Sequence, residues 1–269
     1  MECEIPFDFS ERVPIVHGAV NGRDFARFLL DTGAPSSRLH KNIVAALGLS
    51  ADGENTVRID SLRFGTLDVG PIDLKTSSFG ENRLDGLLGT RELSPYCVTL
   101  DLDRCLCVLG KSTHGSDPFS PLELFHGRPI VRVQHADAEL TFVLDTGSSG
   151  NWLFASGQDK LRNVGAVIVQ PETAKAAQGN LTVQRRKVVD DVAIGGMTFQ
   201  EVAFLLSEPD QFGGANAPED GILGIGAIAS SGIAIIDFRL GHFVLTSADN
   251  GTQPNHRMET SSQSSQFQA

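Results

Sequence analysis

Residues 13–33 read VPIVHGAVNGRDFARFLLDTG, and residues 128–147 read RPIVRVQHADAELTFVLDTG. Each stretch is an apolar extended run, a turn, a second extended run and then Asp-Thr-Gly. The first turn is Asn21-Gly22, a pair suited to a two-residue hairpin because both positions need positive φ. The second, His135-Ala136-Asp137, is a weaker turn signal. The same four-part pattern twice in one chain predicts a duplicated unit.

The duplication extends outward from these stretches. Leu84-Asp85-Gly86-Leu87-Leu88-Gly89 matches Glu219-Asp220-Gly221-Ile222-Leu223-Gly224. Val98–Asp101 through Val108-Leu109 matches Ala234–Asp237 through Val244-Leu245, each reading as a closing hairpin of alternating apolar residues. Asp31 and Asp145 are 114 residues apart, whereas Asp85 and Asp220 are 135 apart, so the second copy carries 21 extra residues. With Gly65 and Gly195 as intermediate markers, 16 of these fall early and 5 late.

The first copy is expected over 1–111, a turn-rich linker over 112–121 and the second copy over 122–247. The Ser-, Gln- and Asn-rich 248–269 reads as a disordered tail. One short helix is expected over Lys41–Leu49, ending at Gly48.

Composition narrows the function classes. Of 269 residues, 41% are hydrophobic and 20% charged, enough for a folded core. The 28 glycines, with one Trp, one Tyr and many Val, Ile, Thr and Phe, favour strands and tight turns. A net charge of −11 argues against nucleic-acid or anionic-membrane binding, which need basic patches. The basic run Arg185-Arg186-Lys187 reads as a solvated strand end.

The longest uncharged stretch, Gly221–Ile236, is too short and too broken by glycine for a membrane span. The acidic start Met1-Glu2-Cys3-Glu4 lacks the basic and apolar regions of a secretory leader. That reads as cytoplasmic, or as periplasmic if a leader has been removed. Cys3, Cys97, Cys105 and Cys107 read as buried free thiols, with Cys105 and Cys107 on one face of a strand.

The chemistry lies in the repeated tripeptide. Asp31 and Asp145 each end an apolar strand, where a lone carboxylate is costly unless hydrogen-bonded. Gly33 and Gly147 allow the backbone to wrap round and present N–H donors, and the hydroxyls of Thr32 and Thr146 suit a lock between the two loops. A pseudo-twofold axis would bring Asp31 and Asp145 face to face. Two such carboxylates share one proton, so one activates water while the other polarises a carbonyl; aspartic proteases are the standard example of such a pair.

Competing readings are weaker. Gly224-Ile225-Gly226-Ala227-Ile228-Ala229 fits a dinucleotide fingerprint but lacks a strand–helix alternation around it. No H-E-x-x-H or G-x-S-x-G pattern occurs. Asp85 and Asp220 read as turn starters.

On Asp31-Thr32-Gly33-Ala34, Asp145-Thr146-Gly147-Ser148-Ser149, Leu87-Leu88-Gly89 and Ile222-Leu223-Gly224, the sequence resembles the pepsin/retropepsin-like aspartic proteases. It is most similar to bacterial retropepsin-like proteins with both copies fused in one chain. The resemblance covers roughly residues 5–247. It implies an all-β, bilobal pepsin-like acid protease fold with two pseudo-twofold-related β-barrel-like lobes.

It also implies an aspartic endopeptidase acting on a peptide or protein substrate. Asp31 and Asp145 would be the catalytic pair, supported by Thr32, Gly33, Thr146 and Gly147, with no cofactor, no metal and a monomer sufficient. The early insertion in the second copy implies a single flap from the C-terminal half. Its strands would be Val164–Val169 and Leu181–Gln184, and its tip would run from Gln170 through Ala176 and Gln178 to Gly179. In such a family the first half supplies the flap of pepsin-like enzymes, and the tip here has no aromatic residue. Pro35 removes one backbone donor from the first loop. A protein that kept the fold and binds peptides without turnover is the alternative.

Overall fold

The computed structural model describes residues 2–79, 84–111, 118–135, 138–161, 166–176, 179–188, 191–206 and 218–247. The described residues form twenty-three strands and four short helices. The fold is all-β and bilobal, as the duplication predicts.

Each half opens with the hairpin read from the sequence. Ile15–Val20 pairs antiparallel with Arg23–Leu30, and Arg128–His135 with Ala138–Asp145. The first turn is tight, with Asn21 at φ 49° and Gly22 at φ 75°. The second closes on His135 opposite Ala138; residues 136–137 lie outside the described residues. In both halves the apolar-apolar-Gly strand then runs parallel to the second hairpin strand. Gly86–Leu88 lies beside Phe28–Leu30, and Gly221–Gly224 beside Phe142–Asp145.

The halves are joined by a shared antiparallel sheet. Its strands run in the order Cys3–Asp8, Leu106–Gly110, Cys97–Asp101, Ile233–Asp237, His242–Thr246 and Ser120–Phe125. The central ladder pairs Cys97 with Asp237, Thr99 with Ile235 and Asp101 with Ile233. Since Cys97–Asp101 and Ile233–Asp237 are equivalent in the two copies, the pseudo-twofold axis passes between Thr99 and Ile235.

One apolar core runs through both halves. Phe28, Phe64, Phe142, Phe199 and Phe243 are its largest fully buried side chains. Phe28 meets Phe64 edge-on at 5.2 Å, and Phe142 stacks with Phe204 at 5.6 Å. Burying five such rings supplies roughly 2–3 kcal/mol each relative to solvent, before conformational entropy is counted.

Several expectations shift in detail. The helix after the first Asp loop covers Lys41–Ala46, with the His40 ring nitrogen accepting from the Asn42 N–H at its start. Cys105 occupies a turn at φ 50°, outside the strand that begins at Leu106, so it does not share a strand face with Cys107. Turn geometry there overrides the apolar alternation. All four cysteines are free thiols. Ser120 and Pro121, expected in the linker, open a strand because they pair with Phe243 and His242. Residues 112–117 and 248–269 lie outside the described residues. Among the described residues, no helix is long and apolar enough to cross a membrane.

The insertion in the second half is a long hairpin, Ala166–Ala176 with Gly179–Val188. Its strands reach further than expected. Gln170 lies at a register shift between Ile168 and Pro171, and Ala176 pairs with Gly179. Gln170 through Ala176 are therefore strand, not tip, since Pro171 is accommodated where the ladder is already irregular. Gln178 lies outside the described residues. Arg185, Arg186 and Lys187, read as a strand end, all pair with Ala203–Leu205 on one side, and Arg186 and Lys187 pair with Ile168 and Val167 on the other.

Candidate active site

Asp31 and Asp145 sit where each half's second hairpin strand leaves the sheet. The Asp31 N–H donates to the Leu88 carbonyl at 3.0 Å, and Asp145 stands opposite Gly224 in the parallel ladder. The apolar-apolar-Gly strands thus pass beneath both Asp loops. Glycine ends them because a Cβ at Gly89 would collide with the Ser36 backbone, and one at Gly224 with the Gly150 carbonyl.

The structure brings the two aspartates together. Each loop's glycine lies against the opposite carboxylate: a Cβ on Gly33 would collide with the Asp145 carboxyl, and one on Gly147 would lie 2.8 Å from the Asp31 carboxyl carbon. The two carboxyl groups are close enough to perturb each other's titration directly. Asp31 also accepts from the Ala34 N–H at 3.0 Å, and Asp145 from the Gly147 N–H at 2.9 Å. Both residues keep partial solvent exposure.

Electrostatics make the pair unequal. Burial raises the Asp31 pKa well above the ordinary carboxyl range; the neighbouring Asp145 charge adds to the rise. Burial also raises Asp145, but the N–H groups of Gly147, Ser148 and Gly33 oppose it. With both carboxyls raised by burial, the arrangement favours a single proton shared by the pair.

Thr32 and Thr146 form a reciprocal lock under the pair. The Thr32 N–H donates to the Thr146 hydroxyl and the Thr146 N–H to the Thr32 hydroxyl, both at 3.1 Å. In turn the Thr32 hydroxyl donates to the Leu144 carbonyl at 2.7 Å, and the Thr146 hydroxyl to the Leu30 carbonyl at 2.6 Å. Both threonines are fully buried, so each unmade bond would leave an orphaned polar group.

Several supporting residues were not apparent in sequence. Asp85 and Asp220 are more than turn starters. The Asp85 carboxylate accepts from the Arg27 N–H and the Asp220 carboxylate from the Thr141 N–H, both at 2.8 Å. These bonds tether each Asp strand four residues before its aspartate. The repeated Asp-Gly at one offset was the available signal. Ser37 and Asn151 hold equivalent places: the Gly89 N–H donates to the Ser37 hydroxyl at 2.8 Å, and the Gly224 N–H to the Asn151 side-chain carbonyl at 3.0 Å. Buried Glu92 accepts from the Ser37 N–H at 2.8 Å and pairs with Arg91 at 2.5 Å. Pro35 withholds no donor from Asp31, which draws on Gly33 and Ala34; its carbonyl accepts from the Arg91 N–H.

Comparison with known proteins gives the family and the fold. The family described as aspartyl protease matches residues 16–91 and 131–227, both halves and most of the chain. The chain belongs to the aspartyl protease family. No curated protein matches it. The aspartic proteinase from Irpex lacteus superposes with a TM-score of 0.57 at 13% identity, covering 94% of this chain and 100% of its own. A retropepsin-like aspartic protease from Rickettsia conorii matches with a TM-score of 0.33 at 21% identity, covering 41% of this chain and 90% of its own. At 13% identity the likeness to the Irpex lacteus enzyme speaks for the fold.

Proposed function

We propose that this aspartyl protease family member is an aspartic endopeptidase that cleaves extended peptides with Asp31 and Asp145. The observation that carries the reading is the facing carboxyl pair above the threonine lock, each Asp loop's glycine lying against the opposite carboxyl. The ionised member of the pair takes a proton from water as the water oxygen attacks the scissile carbonyl carbon. The protonated member gives its proton to the carbonyl oxygen, and a gem-diol results. Return of a proton to the amide nitrogen breaks the C–N bond and releases acid and amine.

The Ala166–Val188 hairpin offers strand backbone for pairing with an extended peptide, so main-chain bonds supply affinity and alternate side-chain pockets supply preference. One chain contributes both aspartates.

The test is cleavage of a mixed peptide library by wild type, Asp31→Asn and Asp145→Asn across a pH series. Wild type is expected to cleave, and each variant to lose about 10³-fold or more. Equal cleavage by all three would overturn the reading. Folded wild type that binds library peptides and cuts none would favour a binding protein on this fold.

A further inference from the structure

Thr90 opens the short helix Thr90–Leu93 after the first apolar-apolar-Gly strand, where the second half has Ile225 opening Ile225–Ala229. The main chains act alike. The Thr90 N–H donates to the Ala34 carbonyl at 2.9 Å, and the Ile225 N–H to the Ser148 carbonyl at 2.8 Å. Thr90 adds a bond that an isoleucine side chain cannot make: its hydroxyl donates to the Thr32 carbonyl at 2.6 Å, fully buried.

That carbonyl belongs to the Thr32–Gly33 peptide unit, whose other end is the Gly33 N–H. Gly33 lies directly against the Asp145 carboxyl, where a Cβ would collide with it, and its N–H dipole favours the ionised form of the pair. Donation into an amide carbonyl polarises the unit and strengthens its N–H as a donor.

Resting on the protease reading, we propose that Thr90 is a positioning residue of the dyad. Its hydroxyl fixes and polarises the peptide unit that leads from Thr32 to Gly33, the residue packed against the Asp145 carboxyl. The charge facing Asp31 is that of Asp145. Arg91 and Glu92, the charged residues on the Thr90 helix, are bound to each other, and Glu92 also to Ser37. The hydroxyl therefore acts through a dipole, and its removal changes no charge.

The test compares wild type, Thr90→Val and Thr90→Ser. Loss of the hydroxyl is expected to lower kcat about fivefold with little change in KM, the order of one hydrogen bond. With a weaker Gly33 donor the ionised carboxylates are less favoured, so both limbs of the pH–rate profile move to higher pH. Thr90→Ser restores both kcat and profile.

Carboxyl carbon NMR titration of the same three proteins reads the pair without any substrate. The two macroscopic pKa values are expected to rise in Thr90→Val and to return in Thr90→Ser. Unchanged titration in Thr90→Val, or equal displacement in Thr90→Ser, overturns the proposal. If wild type cleaves no peptide, the protease reading fails, and the NMR arm still decides whether Thr90 positions the pair. If Thr90→Val does not fold, Thr90→Ser and Thr90→Ala titrations decide on the same criterion.

Discussion

The two halves of this chain agree near the pseudo-twofold axis and diverge away from it. At the axis, Asp31 matches Asp145, Thr32 matches Thr146, and each threonine makes the same two bonds as its twin. One step out, Asp85 and Asp220 tether equivalent N–H groups, but Asp220 also takes Lys160 at 2.6 Å. A further step out, Ser37 with Glu92 replaces Asn151, and Thr90 replaces Ile225. At the periphery a hairpin of two long strands stands in one half. The other has a turn at Asp52, whose carboxylate accepts from the Glu54 and Thr56 N–H groups. A group on the axis must satisfy its partner and itself at once, so the two copies are constrained together. A group off the axis has only its own half to fit.

The sharpest way to break the comparison is at the lock. Thr32→Val and Thr146→Val each remove a buried hydroxyl that both accepts and donates across the halves. Each is expected to cost about 3 kcal/mol of unfolding free energy, and the double variant about twice that, because the four bonds divide two and two between the hydroxyls and none is shared. Denaturant unfolding of the two singles and the double measures this. Unequal single costs would show that the axis is less symmetric than its hydrogen bonds.

The aspartates test symmetry of charge. Both folded pKa values lie above the ordinary carboxyl value, Asp31 the further. A raised carboxyl stabilises the fold fully below its unfolded pKa and loses that contribution as pH rises through the folded pKa. Wild-type stability should therefore decline from acid toward neutral pH. Asp31→Asn removes the burial and repulsion of a second charge. Its melting temperature should match wild type in acid and exceed it by about 5 °C at pH 7. Asp145→Asn should gain less. Thermal melts across pH check the order, and a larger gain for Asp145→Asn would reverse it.

How much was legible beforehand follows the same gradient. The hairpins, the Asp loops and the glycines that let a strand pass beneath them were readable, because the backbone demands those residue types at fixed offsets. The roles of Thr90, Ser37 and Glu92 were not. Each depends on a contact between segments more than fifty residues apart, and each residue type is common on surfaces. Cys105 was misplaced because a positive-φ turn interrupts an apolar run that otherwise alternates like a strand. The inserted hairpin was found by counting residues, but its length was not, since Pro171 and the polar Gln170-Pro171-Glu172-Thr173 look like a tip and are tolerated at a register shift.

The finest comparison is between Asp85 and Asp220. Asp85 is partly exposed and holds the Arg27 N–H; Asp220 is buried, holds the Thr141 N–H and pairs with Lys160, whose side chain is nearly half exposed. Replacing Asp85 with Asn keeps an oxygen acceptor and weakens one charge-assisted bond, about 1 kcal/mol. Asp220→Asn does the same and leaves Lys160 beside a neutral amide. The lysine turns to solvent, so the added cost is modest and the total about 2 kcal/mol. Denaturant unfolding resolves a difference of that size. If the two variants cost the same, the Lys160 pair contributes nothing and the second half owes its tether to the backbone bond alone. If Lys160→Met recovers part of the Asp220→Asn loss, the unpaired cation was the source of the difference.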